Sequence, residues 1–283
     1  MAAAGEAFRF DGGPLALAGE RYAGGERGVV LLLHGGGQTR HSWANTGARL
    51  AAAGFEAIAL DTRGHGDSAW APDGDYTLDA FAGDLVAFSG TLASAPALVG
   101  ASLGGITALL AAGEHPGLAA ALVLVDVVVE VEPEGVRRII DFMTAHRDGF
   151  ASLEDVADAV AAYNPLRRRP RNLDGLRKNV RRREDGRWHW HWDPAFVRID
   201  DEPQRHIDRE RLRAAARAIT VPTMLVRGGH SDVVGDAGMA DMRRLIPHAE
   251  LVEVGAAGHM VAGDDNDVFT TRLEAFLAEV FDG

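Results

Sequence analysis

Apolar and polar positions follow two rhythms along this chain. The short continuous apolar run Val29–Leu33 has the length and branched make-up of a strand buried on both faces, Ala97–Val99 and Ala121–Val125 are further apolar strand runs, and Phe55–Leu60 reads as a strand interrupted only by Glu56. Leu15–Tyr22 and Leu251–Val254 read as further strands. Between these runs the spacing turns helical. Ser42–Ala53 forms a helix stopped by Gly54, and another runs from Thr77 to about Leu92, ahead of Pro96. Ala237–Ile246 and Val268–Phe281 are amphipathic and read as sheet covers. From about 130 to 215 the alternation stops. Pro133, Pro165, Pro170, Pro194 and Pro203 punctuate this stretch, and Val136–His146 and Leu153–Tyr163 have helical periodicity. Asp185-Gly186 is a hairpin signal. The alternation after it puts Trp188, Trp190 and Trp192 on one face and His189 and His191 on the other. Leu212–Ala218 closes the stretch as a helix, and Pro222 begins the return to strand.

Length and composition narrow the function classes. The chain's 283 residues suit one large α/β domain with an insertion, or two small domains. A net charge of −12 argues against a nucleic-acid partner. With no cysteine, thiol nucleophiles, disulfides and thiolate metal sites are excluded. Residues Met1–Glu6 lack the basic and apolar regions of a signal peptide, and no apolar run approaches a membrane span. A soluble cytoplasmic protein without a membrane partner is the expectation.

The candidate chemistry centres on Val99-Gly100-Ala101-Ser102-Leu103-Gly104-Gly105, between an apolar strand and a helix that begins Ile106-Thr107-Ala108. Strand, sharp turn, helix is the setting of a G-x-S-x-G nucleophile elbow. The turn forces Ser102 into a strained conformation, and glycines flank it because a Cβ would collide there. The Leu103 amide then lies at a helix N-terminus, where it can stabilise an oxyanion. The bland alternative is an ordinary glycine-rich turn. Upstream, His34-Gly35-Gly36-Gly37 follows a buried strand and reads as the other half of an oxyanion hole, with Gly36 the first choice of donor and Gly37 the second. A phosphate loop fails, because its motif needs a lysine and the chain's one lysine is Lys178. The polar loop Asp61-Thr62-Arg63-Gly64-His65-Gly66-Asp67-Ser68 reads as structural, with Asp61 and Arg63 pairing to hold its shape.

The order strand, HGGG, helix, strand, D-x-R-G-H-G-D-S, helix, strand, G-x-S-x-G-G resembles the α/β-hydrolase fold family, over residues from about 10 to 128 and again from about 220 to 280. The resemblance implies a mainly parallel, doubly wound sheet with the active site at the C-terminal ends of its strands. It also implies a triad in the chain order Ser, acid, His. Ser102 is then the nucleophile. His259, in the small-residue loop Gly255–Gly258 plus Met260 after the last strand, matches the base position. The acid has two candidates. The usual family pattern is G-x-x-D-x-I/V-V after the seventh strand; counted back from Val234, its slot falls on Ser231 and Asp232 comes one residue late. Asp126 ends the sixth strand, and a subgroup of small-ester hydrolases that this chain resembles takes its acid there. Asp126 is preferred.

The resemblance also implies that the insertion is a mostly helical cap over Ser102, which divides the chain into core residues 1–130, cap residues 131–215 and core residues 216–283. Within it, Arg167, Arg168, Arg169, Arg171, Arg177, Lys178, Arg181, Arg182, Arg183 and Arg187 form a basic cluster, read as a solvated face with salt bridges. His189-x-His191-x-Asp193 resembles part of a metallohydrolase ligand run, but Pro194 stands where a histidine is needed. Neither a metal nor a cofactor is expected. Trp188, Trp190 and Trp192 are expected to pack the cap and line the acyl pocket. The resulting expectation is a serine hydrolase of small to medium carboxylic esters. A lactonase, a carbon–carbon bond hydrolase, a cofactor-free peroxidase side activity and a non-enzymatic ligand receptor are the alternatives on this fold.

Overall fold

The computed structural model describes residues 5–164, 172–197, 207–255, 258–259 and 267–283, and among these ten strands and eight α-helices follow one another. The first part runs β1 (Glu6–Phe10), β2 (Leu17–Tyr22), β3 (Val29–Leu33), α1 (Ala44–Ala52), β4 (Glu56–Leu60), α2 (Leu78–Ser89), β5 (Ala97–Ala101), α3 (Leu103–Glu114) and β6 (Ala121–Val125). Next come α4 (Pro133–Thr144), α5 (Leu153–Tyr163), the short strands β7 (Val180–Arg182) and β8 (Trp188–Trp190), and α6 (Arg209–Ala218). The chain closes with β9 (Thr223–Gly228), α7 (Asp236–Leu245), β10 (Glu250–Val254) and α8 (Asp267–Asp282).

Eight strands form one sheet in the order β1-β2-β4-β3-β5-β6-β9-β10. β1 and β2 are antiparallel additions at one edge, and every pairing from β4 to β10 is parallel. The period-two alternation of each strand feeds two cores. Leu31, Leu33, Leu98, Leu122 and Leu124 meet buried residues of α2, α3, α6 and α7 on one face. Val30, Leu32, Val99, Val123 and Val125 meet those of α1 and α8 on the other. A strand buried on both faces needs apolar residues at every position, which is why these runs are unbroken in the sequence.

The strand order places β3, β5, β6 and β9 side by side, so the segments leaving their C-terminal ends share one edge of the sheet. Between β6 and β9 the insertion builds its own small core from Met143, Phe150, Val156, Leu176, Val180, Trp190 and Trp192. It holds helices, as expected, and also the antiparallel hairpin β7–β8, with Trp190 opposite Val180 and Trp188 opposite Arg182. Asp185-Gly186 forms the tip, with Gly186 at φ 76°. β1 is a strand that the hydrophobic pattern does not reveal. Its residues are exposed or half-buried, so no apolar run marks it.

Candidate active site

Ser102 sits between β5 and α3 at φ 47° and ψ −117°, a conformation that costs an L-residue free energy. Its amide donates to the Val125 carbonyl at 3.1 Å, which ties the turn to β6. The flanking glycines are required by contact. A Cβ on Gly100 would stand 2.5 Å from the Gly104 carbonyl oxygen, and one on Gly104 would stand 2.5 Å from that of Leu33.

The Ser102 hydroxyl lies 3.2 Å from Nε2 of His259, and Nδ1 of the same ring lies 2.6 Å from Oδ2 of Asp126. With Nδ1 facing a carboxylate, its proton is fixed there and Nε2 is left to accept from the hydroxyl. Asp126 turns off the end of β6 at φ 54° while its amide still bonds the Val226 carbonyl of β9 at 2.7 Å. Its side chain is fully buried. The cost of burying this carboxylate is offset by three donors: His259, the Gly228 amide at 3.1 Å and the Ser231 hydroxyl at 2.5 Å.

Asp232 is not at this centre. Its carboxylate pairs with the exposed Arg138 of α4 instead. Ser231 points inward where the usual acid slot falls. Its oxygen donates to Asp126 and accepts from the amides of Val233 at 3.2 Å and Val234 at 3.1 Å. Sequence reasoning located that slot without giving Ser231 a part.

The glycine loop after β3 can be accounted for amide by amide. The Gly35 amide donates to Oε1 of Gln38 at 2.9 Å, and the Gly37 amide to Nε2 of His65 at 3.1 Å. The Gly36 and Leu103 amides have no hydrogen-bond partner among the described residues. Gly37, the second-choice oxyanion donor, therefore already has its proton committed. A Cβ on Gly35 would stand 3.3 Å from the Ser102 Cβ.

The insertion reaches this loop. Phe196 lies 3.7 Å from the Cβ position of Gly36, and Met143 and Trp192 lie 3.2 and 3.5 Å from that of Gly37. Trp192 stacks on Trp190 at 4.8 Å, and Trp190 also meets Phe142 and Phe150. Trp188 stands farther out under the Arg177 guanidinium. Trp192 is thus the tryptophan against the glycine loop, and the other two pack within the insertion. A cavity of about 230 Å³ lies on that side, bounded by residues including Met143, Arg147, Arg183, Trp190 and Trp192; neither Ser102 nor His259 is among its walls.

Three expectations need correction or completion. Asp61 and Arg63 do not pair. Asp61 binds the Arg40 guanidinium and the Arg40 amide (2.6 Å), while Arg63 makes a buried two-point contact with Asp84 at 2.6 and 2.7 Å. His189, His191 and Asp193 do not converge. They bind Asp185, the glycine loop and Tyr76 respectively, and no cluster able to hold a metal ion occurs among the described residues. Of the basic cluster, Arg167, Arg168, Arg169 and Arg171 lie outside the described residues, as does Met260. Arg181 pairs with Asp67 at 2.6 Å, and Arg187 donates to the Asp148 and Gly149 carbonyls. No helix among the described residues is long and apolar enough to cross a membrane.

The sheet order, the strained serine at the strand–helix turn and the histidine after β10 place the molecule in one class, and residues 28–265 match the model of the alpha/beta hydrolase fold family. The chain belongs to that family. Among its relatives is the esterase Rv0045c of Mycobacterium tuberculosis, 34% identical over 253 residues that span 85% of this chain and 80% of that one. A structure of that esterase superposes with a TM-score of 0.74, covering 99% of this chain and 93% of the other at 30% identity. The N-formylmaleamate deformylase of Pseudomonas putida is 29% identical, with 90% of each chain covered. The structure of an E-2-(acetamidomethylene)succinate hydrolase matches with a TM-score of 0.82 at 25% identity, covering 96% of this chain and 99% of that one.

Proposed function

We propose that this hydrolase cleaves small to medium carboxylic esters through an acyl-enzyme on Ser102. The observation that carries the reading is the continuous chain from Ser102 Oγ to His259 at 3.2 Å and from His259 to Asp126 at 2.6 Å. As Oγ attacks the acyl carbonyl, His259 Nε2 takes its proton. The carbonyl oxygen gains charge and is met by the Leu103 and Gly36 amides, each worth roughly 10²–10³ in rate. Asp126 holds the ring in the required tautomer and stabilises the imidazolium. The proton then passes to the leaving alcohol, and water activated by the same ring releases the acid. No step calls on a metal or a cofactor.

In this reading the segment from 131 to 215 is a cap. Met143, Trp192 and Phe196 already stand over the glycine loop, which supports a confined acyl site. The 34% identical esterase supports an oxygen leaving group. A deformylase matched over 90% of each chain favours a second reading, in which the same residues release an acyl group from nitrogen.

The test is hydrolysis of p-nitrophenyl esters from acetate to dodecanoate, alongside a matched amide series. The wild type is expected to turn over the shorter esters, and Ser102→Ala to lose on the order of 10⁴-fold or more in kcat. Ester turnover that survives in Ser102→Ala would remove the serine from the mechanism. Amides turned over faster than esters would select the second reading.

A further inference from the structure

The glycine loop carries the oxyanion donor in the reading above, and its peptide planes are held by histidines from three separate parts of the chain. His34, at the end of β3, donates from Nδ1 to the Gly35 carbonyl at 2.8 Å and accepts the Thr62 amide on Nε2 at 3.0 Å. That carbonyl belongs to the peptide whose other end is the Gly36 amide, so the bond fixes the plane of the proposed donor. His65, from the loop after β4, donates from Nδ1 to the Arg63 carbonyl at 3.0 Å and accepts the Gly37 amide on Nε2 at 3.1 Å. His191, from the insertion, accepts the Gly66 amide on Nδ1 at 2.8 Å and faces the Gly37 carbonyl from Nε2 at 3.2 Å. Because Nδ1 is the acceptor, Nε2 carries the proton and donates.

Each ring therefore has one possible tautomer and must be neutral. A proton on Nε2 of His65 would confront the Gly37 N–H, and one on Nδ1 of His191 would confront the Gly66 N–H. Burial supplies the neutrality: desolvation depresses His34 to about 4, His65 to about 3 and His191 well below its ordinary value. The rings also neighbour one another, with centroids 5.2 Å apart for His34–His65 and 5.8 Å for His65–His191.

His191 differs from the other two because it arrives on the insertion. The same short stretch docks on the loop after β4 through the Asp193 amide to the Gly64 carbonyl at 2.8 Å, and through Asp193 to the Tyr76 hydroxyl at 2.5 Å. We propose that His191 is a positioning residue that ties the seating of the insertion to the geometry of the oxyanion loop. The Gly37 carbonyl is one end of the peptide whose other end, the Gln38 amide, donates to the Gly35 carbonyl at 3.1 Å, so by holding it His191 braces the Gly35–Gly36 peptide and keeps the uncommitted Gly36 amide aimed at the developing oxyanion. This rests on the serine-hydrolase reading of the site. The bond acts through the oxyanion donor, whose contact strengthens as charge develops on the carbonyl oxygen, so its loss falls on the transition state more than on ground-state binding.

The two amide side chains separate His191's two bonds. His191→Gln keeps a donor at the reach of Nε2 and so retains the Gly37 contact. His191→Asn keeps an acceptor at the position of Nδ1 and so retains only the Gly66 contact. Active sites are titrated with a fluorophosphonate, and kcat and KM are measured per titrated site. Affinity for a trifluoromethyl ketone, which forms a tetrahedral adduct, is compared with that for the matching methyl ketone. His191→Asn is expected to lose at least about tenfold in kcat with KM within about threefold, and to lose trifluoromethyl-ketone preference by a similar factor. His191→Gln is expected to recover most of both. A merely structural role would lower the titratable fraction and leave kcat per site and the inhibitor ratio unchanged, which overturns the proposal. Equal losses in the two variants overturn it as well. If the wild type neither reacts with the fluorophosphonate nor binds the trifluoromethyl ketone, the serine-hydrolase reading falls and the positioning role falls with it.

Discussion

Asp126 and Asp232 show what a single carboxylate's surroundings decide. Asp126 is buried and holds the ring of His259; Asp232 is partly exposed and meets Arg138. Asp126→Asn is expected to lower kcat by about 10³–10⁴, because an amide there favours the wrong histidine tautomer. Asp232→Asn removes a surface pair worth at most about 1 kcal/mol and is expected to leave kcat within about threefold. Ser231→Ala withdraws a donor from a buried carboxylate, which costs about 1–3 kcal/mol and a corresponding roughly 5- to 150-fold loss in kcat/KM. Steady-state kinetics of the three variants check this ranking, and an Asp232→Asn loss larger than that of Asp126→Asn would contradict it. At this scale the Ser102–His259 contact was legible because motif and placement mark both residues. Which carboxylate faces the ring was only partly legible. The sequence offers two carboxylates, and the choice depends on β6 and β9 being neighbours, which no local pattern states. The Asp61–Arg63 expectation failed for a related reason. Proximity in sequence suggested a pair, but the loop turns the two side chains toward Arg40 and Asp84.

Among the elements, the β5–α3 turn is the most constrained. Gly104 lies against the backbone of the residues that end β3, and its Cβ position is 2.5 Å from the Leu33 carbonyl oxygen and 2.7 Å from that of His34. Backbone cannot move aside as a flexible side chain can. Gly104→Ala is therefore expected to cost about 1–3 kcal/mol and to lower Tm by at least about 2 °C, together with activity. Gly83→Ala, at an open site in α2, is expected to leave Tm unchanged or slightly raised. Differential scanning calorimetry distinguishes the two, and equal shifts would contradict the contact argument. Elements with a strong period were legible almost to the residue: Val29–Leu33 and Leu153–Tyr163 coincide with β3 and α5. β1 was not, since its pairing with β2 supplies what its own pattern lacks. The hairpin β7–β8 was announced by Asp185-Gly186, yet its strands are three residues each, too short for alternation to outweigh the helices around them.

Across the whole molecule, the buried histidines link stability to pH. His34 falls to about 4 and His65 to about 3 in the folded state, against about 6.5 when exposed, and His191 is also depressed. Burial is the main cause in each. Arg40 adds to the depression of His34, His34 adds to that of His65, and both of those rings add to that of His191; Arg181 also acts on His191, while Asp61 acts in the opposite sense on His65. Between about pH 6.5 and 4 the unfolded chain binds protons that the folded chain refuses, so stability declines as pH falls through that window. Each such histidine contributes up to about 1.4 kcal/mol per pH unit. Tm is expected to drop progressively from pH 7 to 4.5, and a Tm that held level or rose would contradict the buried neutral cluster. The overall architecture was the most legible scale, because the order of strands, helices and glycine motifs specifies which ends of the sheet meet. How the insertion docks was the least legible: His191 and Phe196 reach the glycine loop through contacts over 150 residues apart in the chain.

The central claim is that Ser102 carries the acyl group, and trapping that group tests it most directly. The wild type, quenched with acid during turnover of p-nitrophenyl acetate and digested for mass spectrometry, is expected to carry an acetyl group on the peptide containing Ser102. Ser102→Ala treated in the same way is expected to carry none. Turnover by the wild type with no acetylated Ser102, or with the acetyl group on another residue, would contradict the account.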